Sequence, residues 1–171
     1  EILNVWSLAS GTDELWIGTY GSGLFHLDLK TNTLKAIPNY EKRSRSQAVK
    51  YVKSLCVDDN QKLWLGFWGM GLARFDPSNN NYDSWLHEKS DTNSLSFDDV
   101  WVIHRDKKGR VWIGTDGGGL NLFQESVPSG DEADGGKFYC WTSGARENRN
   151  LSSRGVYSIC EASAKNFSDD I

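Results

Sequence analysis

The chain has 171 residues, with 19 Lys or Arg against 23 Asp or Glu and a formal net charge of −4. That balance argues against a general nucleic-acid binder, and no apolar run reaches the ~18 residues needed to cross a bilayer as a helix. Eight Trp, six Tyr and seven Phe beside one Met and three Pro describe a chain that is polar outside and aromatic within, as stacked sheets would be.

The predicted elements recur along the chain. A short apolar run, Val5 to Leu8, opens the series and returns as Val52 to Val57, Val100 to His104 and Val156 to Glu161. Each run leads into a turn of Asp, Asn, Lys and Gly, which is hairpin chemistry, with Gly109 suited to a positive φ. The second strand is written LWIGT from Leu15, LWLGF from Leu63 and VWIGT from Val111, starts 48 residues apart. Neither face of this strand is polar, so both faces must be covered. Gly18, Gly66 and Gly114 recur at one register and mark a close approach between sheets.

A Gly-rich turn then opens a third strand, predicted at Leu24 to Asp28, Leu72 to Asp76 and Leu120 to Gln124. The turn after it is tight in the first two copies and swells across residues 126–137 in the third. The fourth strand is the weakest, at Leu34 to Ile37, Tyr82 to Leu86 and Phe138 to Thr142, as suits an outer edge. Long connections over residues 39–51, 87–99 and 143–155 lead to the next first strand.

Four strands repeated at a period in the forties are the signature of propeller blades. The fold class is therefore all-β, a partial β-propeller of about three four-stranded antiparallel blades plus the first strand of a fourth. It forms one unit over residues 1–171, with repeats at about 1–45, 46–95 and 96–150 and a tail over 151–171. The chain opens on Glu1 with neither Met nor a signal-peptide pattern, which reads as a piece of something longer. Three blades do not close a ring. The two end faces are expected to be association surfaces, covered by the remaining blades of a parent propeller or by another copy of the chain. An odd count of three Cys gives no disulfide framework. Cys56 and Cys160, at equivalent places in apolar strands, read as buried small hydrophobes.

In such a fold the turns between second and third strands share one face with the long connections. Those turn tips differ between copies where the strands do not, which is where specificity is placed on a fixed scaffold. Tyr20 and Trp68 are suited to stack on sugar rings, Met70 lies beside them, and Asp116 is suited to accept from hydroxyls. The competing reading packs Phe67 and Trp68 against the neighbouring blade. Two of the long connections are basic, and Arg45 and Arg149 there are suited to a carboxylated or sulfated saccharide. A solvated loop surface is the plainer reading of that charge.

Catalysis finds little support. Asp58-Asp59 and Asp98-Asp99 are adjacent pairs that no spacing sets across a sugar. His26, His87 and His104 lack metal-ligand spacing, and the Gly runs lie between strands and do not open a phosphate-binding helix. The expectation is a segment without enzymatic activity, cofactor or metal, and without direct membrane insertion.

The stretch Asp106 to Leu120, DKKGRVWIGTDGGGL, preceded by NSLSFDDVW, resembles the two-component regulator propeller repeat. That repeat builds the sensor portion of bacterial hybrid histidine kinases. The first copy departs from the pattern with Glu14 in place of the turn Gly, and the second with Phe67 for Thr and Met70 for Gly. The resemblance implies a periplasmic region of a membrane-anchored sensor that detects an oligosaccharide and signals to a histidine kinase. The alternative is a protein-interaction propeller, with a propeller polysaccharide lyase or glycosidase behind it.

Overall fold

The computed structural model describes residues 3–38, 50–125, 135–144 and 151–162. These form three separate four-stranded antiparallel sheets, each a blade. Blade one holds β1 (Val5–Gly11), β2 (Glu14–Thr19), β3 (Leu24–Asp28) and β4 (Thr33–Ala36). Blade two holds β5 (Val52–Val57), β6 (Leu63–Phe67), β7 (Leu72–Asp76) and β8 (Asn81–Trp85). Blade three holds β9 (Val100–Arg105), β10 (Val111–Thr115), β11 (Gly119–Gln124) and β12 (Lys137–Trp141). The architecture is an open, partial propeller, and the first strands β1, β5 and β9 lie side by side along its inner edge.

The second strands hold the stack together. On β6 the side chains alternate. Leu63, Leu65 and Phe67 join Trp16 and Leu24 of blade one in one buried cluster, while Trp64 joins Val100, Ile103 and Ile113 of blade three in another. Every residue of β6 is buried, as a strand wedged between two sheets must be. A Cβ on Gly66 would sit 2.5 Å from Val100 Cγ1, and one on Gly114 would sit 2.5 Å from the Val156 carbonyl oxygen. The glycine register therefore marks the close approach of each second strand to the next blade, as its spacing predicts.

The turns repeat as well. Asp13, Gln61 and Gly109 stand at one register with φ of 58°, 60° and 78°. In blades two and three the turn is closed by a carboxylate that also takes the indole of the second strand. Asp58 Oδ2 accepts from Trp64 Nε1 at 3.0 Å, and Asp106 Oδ2 accepts from Trp112 Nε1 at 2.9 Å. Blade one has Ser10 where the others have Asp. There Glu14 accepts the Trp16 indole at 3.3 Å and meets His26 Nε2 at 2.9 Å.

The fourth-blade element is simpler than predicted. Residues 156–160 adopt no strand, because no neighbouring strand among the described residues offers them a ladder. Val156 N nevertheless donates to the Thr115 carbonyl at 3.0 Å, and Gly155 bridges to Asp116, so the segment occupies the place of a next first strand. Cys160 corrects the expectation of burial: it is exposed, since nothing described covers that side, and Cys56 is only partly buried.

Candidate functional site

Each first strand carries a bulge. In blade one the pairing steps from Val5↔Thr19 to Ser7↔Gly18, in blade two from Val52↔Phe67 to Ser54↔Gly66, and in blade three from Val100↔Thr115 to Val102↔Gly114. The residues skipped are Trp6, Lys53 and Trp101. A bulge leaves one residue outside the ladder and re-aims its side chain. Here all three are aimed into one cavity of about 610 Å³, whose wall is completed by Trp68, Asp99 and Asp116. Every blade contributes to that wall.

Backbone hydrogen bonds fix the rim. Gly21 N and Gly23 N donate to the Lys50 carbonyl at 2.9 and 3.1 Å. In the next copies Gly71 N donates to the Asp98 carbonyl at 2.8 Å, and Gly117 N and Gly119 N donate to the Arg154 carbonyl at 3.0 and 2.7 Å. Each turn tip is thereby tied to the residue that leads into the next first strand. Asp116 N, which donates to the Asp99 carbonyl at 2.9 Å, sets the two carboxylate-bearing residues beside each other.

The cavity is an aromatic box around one ammonium. Lys53 Nζ lies 3.1 Å from the ring centre of Trp101, 5.2 Å from Trp68 and 5.7 Å from Trp6, within range of cation–π attraction. Its second partner is Asp99 Oδ1 at 3.6 Å, and the two side chains are only 10% and 15% exposed. Burial pushes the Lys53 ammonium below its ordinary pKa, against the opposing pull of Asp99 and Asp116. Burial also pushes the Asp99 carboxyl up, partly offset by Lys53 and by the nearby Trp101 indole. Asp99 Oδ1 and Trp101 Nε1 are nonetheless both buried without a regular hydrogen bond. Asp116 Oδ1 accepts from the Tyr157 hydroxyl at 2.8 Å, and that ring packs edge-on at 4.7 Å against Trp101.

The residues predicted for the site divide. Trp68, 48% exposed, and Asp116 line the cavity. Tyr20 stands at its edge, its ring 4.6 Å from Trp6 and 4.9 Å from Tyr51. Phe67 packs in the core, as the competing reading had it, and so does Met70, away from the cavity wall. Arg45 and Arg149 lie outside the described residues. Trp6, Lys53 and Trp101 were not singled out by sequence reasoning, and Asp99 was weighed only as half of an adjacent acidic pair. Their signal was present: the position after the first-strand Val reads Trp, Lys, Trp and then Tyr157. It varies on a fixed scaffold just as the turn tips do.

Among the described residues no cluster of His, Cys, Asp and Glu is placed to hold a metal ion. No helix among them is long and apolar enough to cross a membrane.

Residues 94–117 match the family model described as two component regulator propeller. Among solved structures, the extracellular domain of the hybrid two component system BT4673 of B. thetaiotaomicron is similar at 28% identity and a TM-score of 0.61. That match covers 74% of this chain and 16% of that one. The corresponding domain of BT3049 from the same organism matches at 21% identity and a TM-score of 0.57, over 92% of this chain and 24% of that one. PorZ of Porphyromonas gingivalis, a surface component of the type-IX secretion system, shares the fold at 16% identity and a TM-score of 0.55, over 77% of this chain and 19% of its own. No curated protein matches. The chain thus spans about a sixth to a quarter of the length of these structures. Residues 94–117 thus match the two component regulator propeller model, and most of the chain is similar to the extracellular domain of a hybrid two component system.

Proposed function

We propose that this chain is a non-catalytic, ligand-sensing section of the periplasmic propeller of a bacterial two-component sensor, and that its ligand is an oligosaccharide. The observation that carries the reading is the cavity of about 610 Å³ walled by Trp6, Trp68 and Trp101 with Lys53, Asp99 and Asp116 at its base. Indole faces offer flat apolar surface to the C–H faces of a sugar ring, and a few convergent polar groups fix its orientation through hydroxyls. Because the wall draws on all three blades, a bound ring would tie them together. That tie is a route by which occupancy could bias the packing of a longer propeller and pass toward a kinase.

The open faces of the stack support association with further blades or with a second copy. On blade one Val5 and Leu8 are 46% and 57% exposed, apolar surface that a further blade or a second copy would cover.

The test is calorimetric titration of the 171-residue chain with a panel of oligosaccharides, repeated on Trp68→Ala. Saccharide binding that weakens in the variant supports the reading. Binding that is unchanged by Trp68→Ala removes the cavity from the account, and absence of binding across the panel puts the protein-interaction alternative in its place.

A further inference from the structure

The charge inside the cavity narrows the ligand class, on the premise that the cavity is the saccharide site. Its wall holds one ammonium, Lys53, and two carboxylates, Asp99 and Asp116. Lys53 is already matched to Asp99 at 3.6 Å. Among the described residues Asp116 has no ion-pair partner, and its one hydrogen bond through Oδ1 is to a neutral phenol, Tyr157. The remaining walls are the faces of Trp6, Trp68 and Trp101, whose π-systems are negative above the ring. The wall carries one ammonium against two carboxylates, so its net charge is negative. An anion would meet Asp116 and indole faces against a Lys53 already paired with Asp99. A cation, held clear of Lys53, would find in Asp116 a carboxylate with no ion-pair partner of its own among the described residues.

The molecule itself shows how the box treats a cation. The Lys53 ammonium sits over Trp101 at 3.1 Å with Trp68 and Trp6 at 5.2 and 5.7 Å, an aromatic cage filled from within. The cavity, about 610 Å³, is large enough to hold a sugar ring beside that ammonium, and Asp116 lines it. Desolvated cation–π contacts favour a cation here, and an ion pair to a partly buried carboxylate adds to them.

We infer that the cavity selects a saccharide carrying a protonated amine, a hexosamine with a free amino group, with Asp116 as the residue that determines the preference. This selection is opposite in sign to the carboxylated or sulfated ligand suggested by the basic connections that contain Arg45 and Arg149.

The experiment compares four tetrasaccharides by calorimetry at pH 6: chitosan tetramer, its fully N-acetylated counterpart, cellotetraose and tetragalacturonate. Chitosan tetramer is expected to bind at least tenfold more tightly than the other three. Asp116→Asn, checked for folding by circular dichroism, is expected to abolish that margin by weakening chitosan tetramer at least tenfold more than it weakens the neutral tetramers. Raising the pH until the sugar amines deprotonate should have the same effect on wild type. Equal affinity across the panel, tighter binding of the uronate, or an undiminished margin in Asp116→Asn overturns the cation preference and leaves saccharide recognition standing. Absence of binding by all four overturns both.

Discussion

The ammonium of Lys53 lies 3.1 Å from the ring centre of Trp101, although the two residues belong to different blades. Both are bulge residues of their strands, and both would point elsewhere in a regular ladder. The contact therefore joins blade two to blade three and shapes the cavity at once. It also makes Lys53 a structural group whose charge the site cannot lose without consequence.

Removing that ammonium leaves Asp99 buried without its counter-charge. Lys53→Met is expected to lower stability by about 2 kcal/mol, less than a fully buried pair because both groups keep some solvent. Adding Asp99→Asn should recover part of the loss, since the orphaned charge then disappears. Urea denaturation of the two single variants and the double variant measures the coupling; strictly additive losses would contradict a paired arrangement.

Acid should weaken blade three through Asp106. Burial pushes this carboxyl up, but the Trp112 indole, the Arg110 amide and guanidinium, and the Lys108 amide together outweigh it and hold the group well below its usual range. Its folded pKa is depressed, so its contribution is present above the unfolded value of 3.8 and is lost as pH falls below it. Thermal melts of wild type at pH 7 and pH 3 should show a drop in midpoint, and Asp106→Asn should show a lower midpoint at pH 7 with a smaller drop. An equal drop in both proteins assigns the acid sensitivity elsewhere.

Gly66 tests the contact between blades. A Cβ there would lie 2.5 Å from Val100 Cγ1, and Val100 is fully buried. Gly66→Ala is expected to cost about 1–3 kcal/mol by overpacking. Val100→Ala makes room, so the double variant should be more stable than the sum of the single losses predicts. Chemical denaturation of the set decides, and additivity would mean that the sheets can move apart at no cost.

Trp68 is the substitution that separates binding from folding. Nearly half exposed, it makes ring contacts with Trp6, Tyr20 and Tyr51 at 6.2–6.4 Å. Trp68→Ala should leave the melting midpoint within a few degrees of wild type and weaken saccharide affinity about three- to tenfold, the worth of one aromatic contact. Unfolding of the variant in circular dichroism would instead place Trp68 among the residues that hold the blades.

Much of the fold was legible because its causes are local. Gly109 took its positive φ, and the repeated Trp-x-Gly strand was covered on both faces because its own alternation demands it. The fourth strands were displaced by one residue, Thr33–Ala36 against Leu34 to Ile37, since edge strands carry little apolar pattern to anchor their ends. Of the candidate cavity's wall, sequence reasoning proposed two residues for ligand binding. Trp68 and Asp116 sit on turns, where variation between copies stands out. Trp6, Lys53 and Trp101 sit inside strands, where a bulge does not interrupt the apolar pattern, so nothing in the spacing shows that they leave the ladder. Met70, which varies where the other copies have Ser22 and Gly118, is buried in the cluster with Trp16 and Leu24 of blade one and Leu63 and Phe67 of blade two.

The most direct measurement follows the indole N–H signals of the eight Trp by nuclear magnetic resonance while chitosan tetramer is added to the chain. The signals of Trp6, Trp68 and Trp101 should shift together and saturate at one ligand concentration. Those of Trp16, Trp64 and Trp112, whose indoles are held by the carboxylates of Glu14, Asp58 and Asp106, none of them on the cavity wall, should stay in place. Shifts confined to the second group, or none at saturating ligand, would contradict the assignment of the cavity as the binding site.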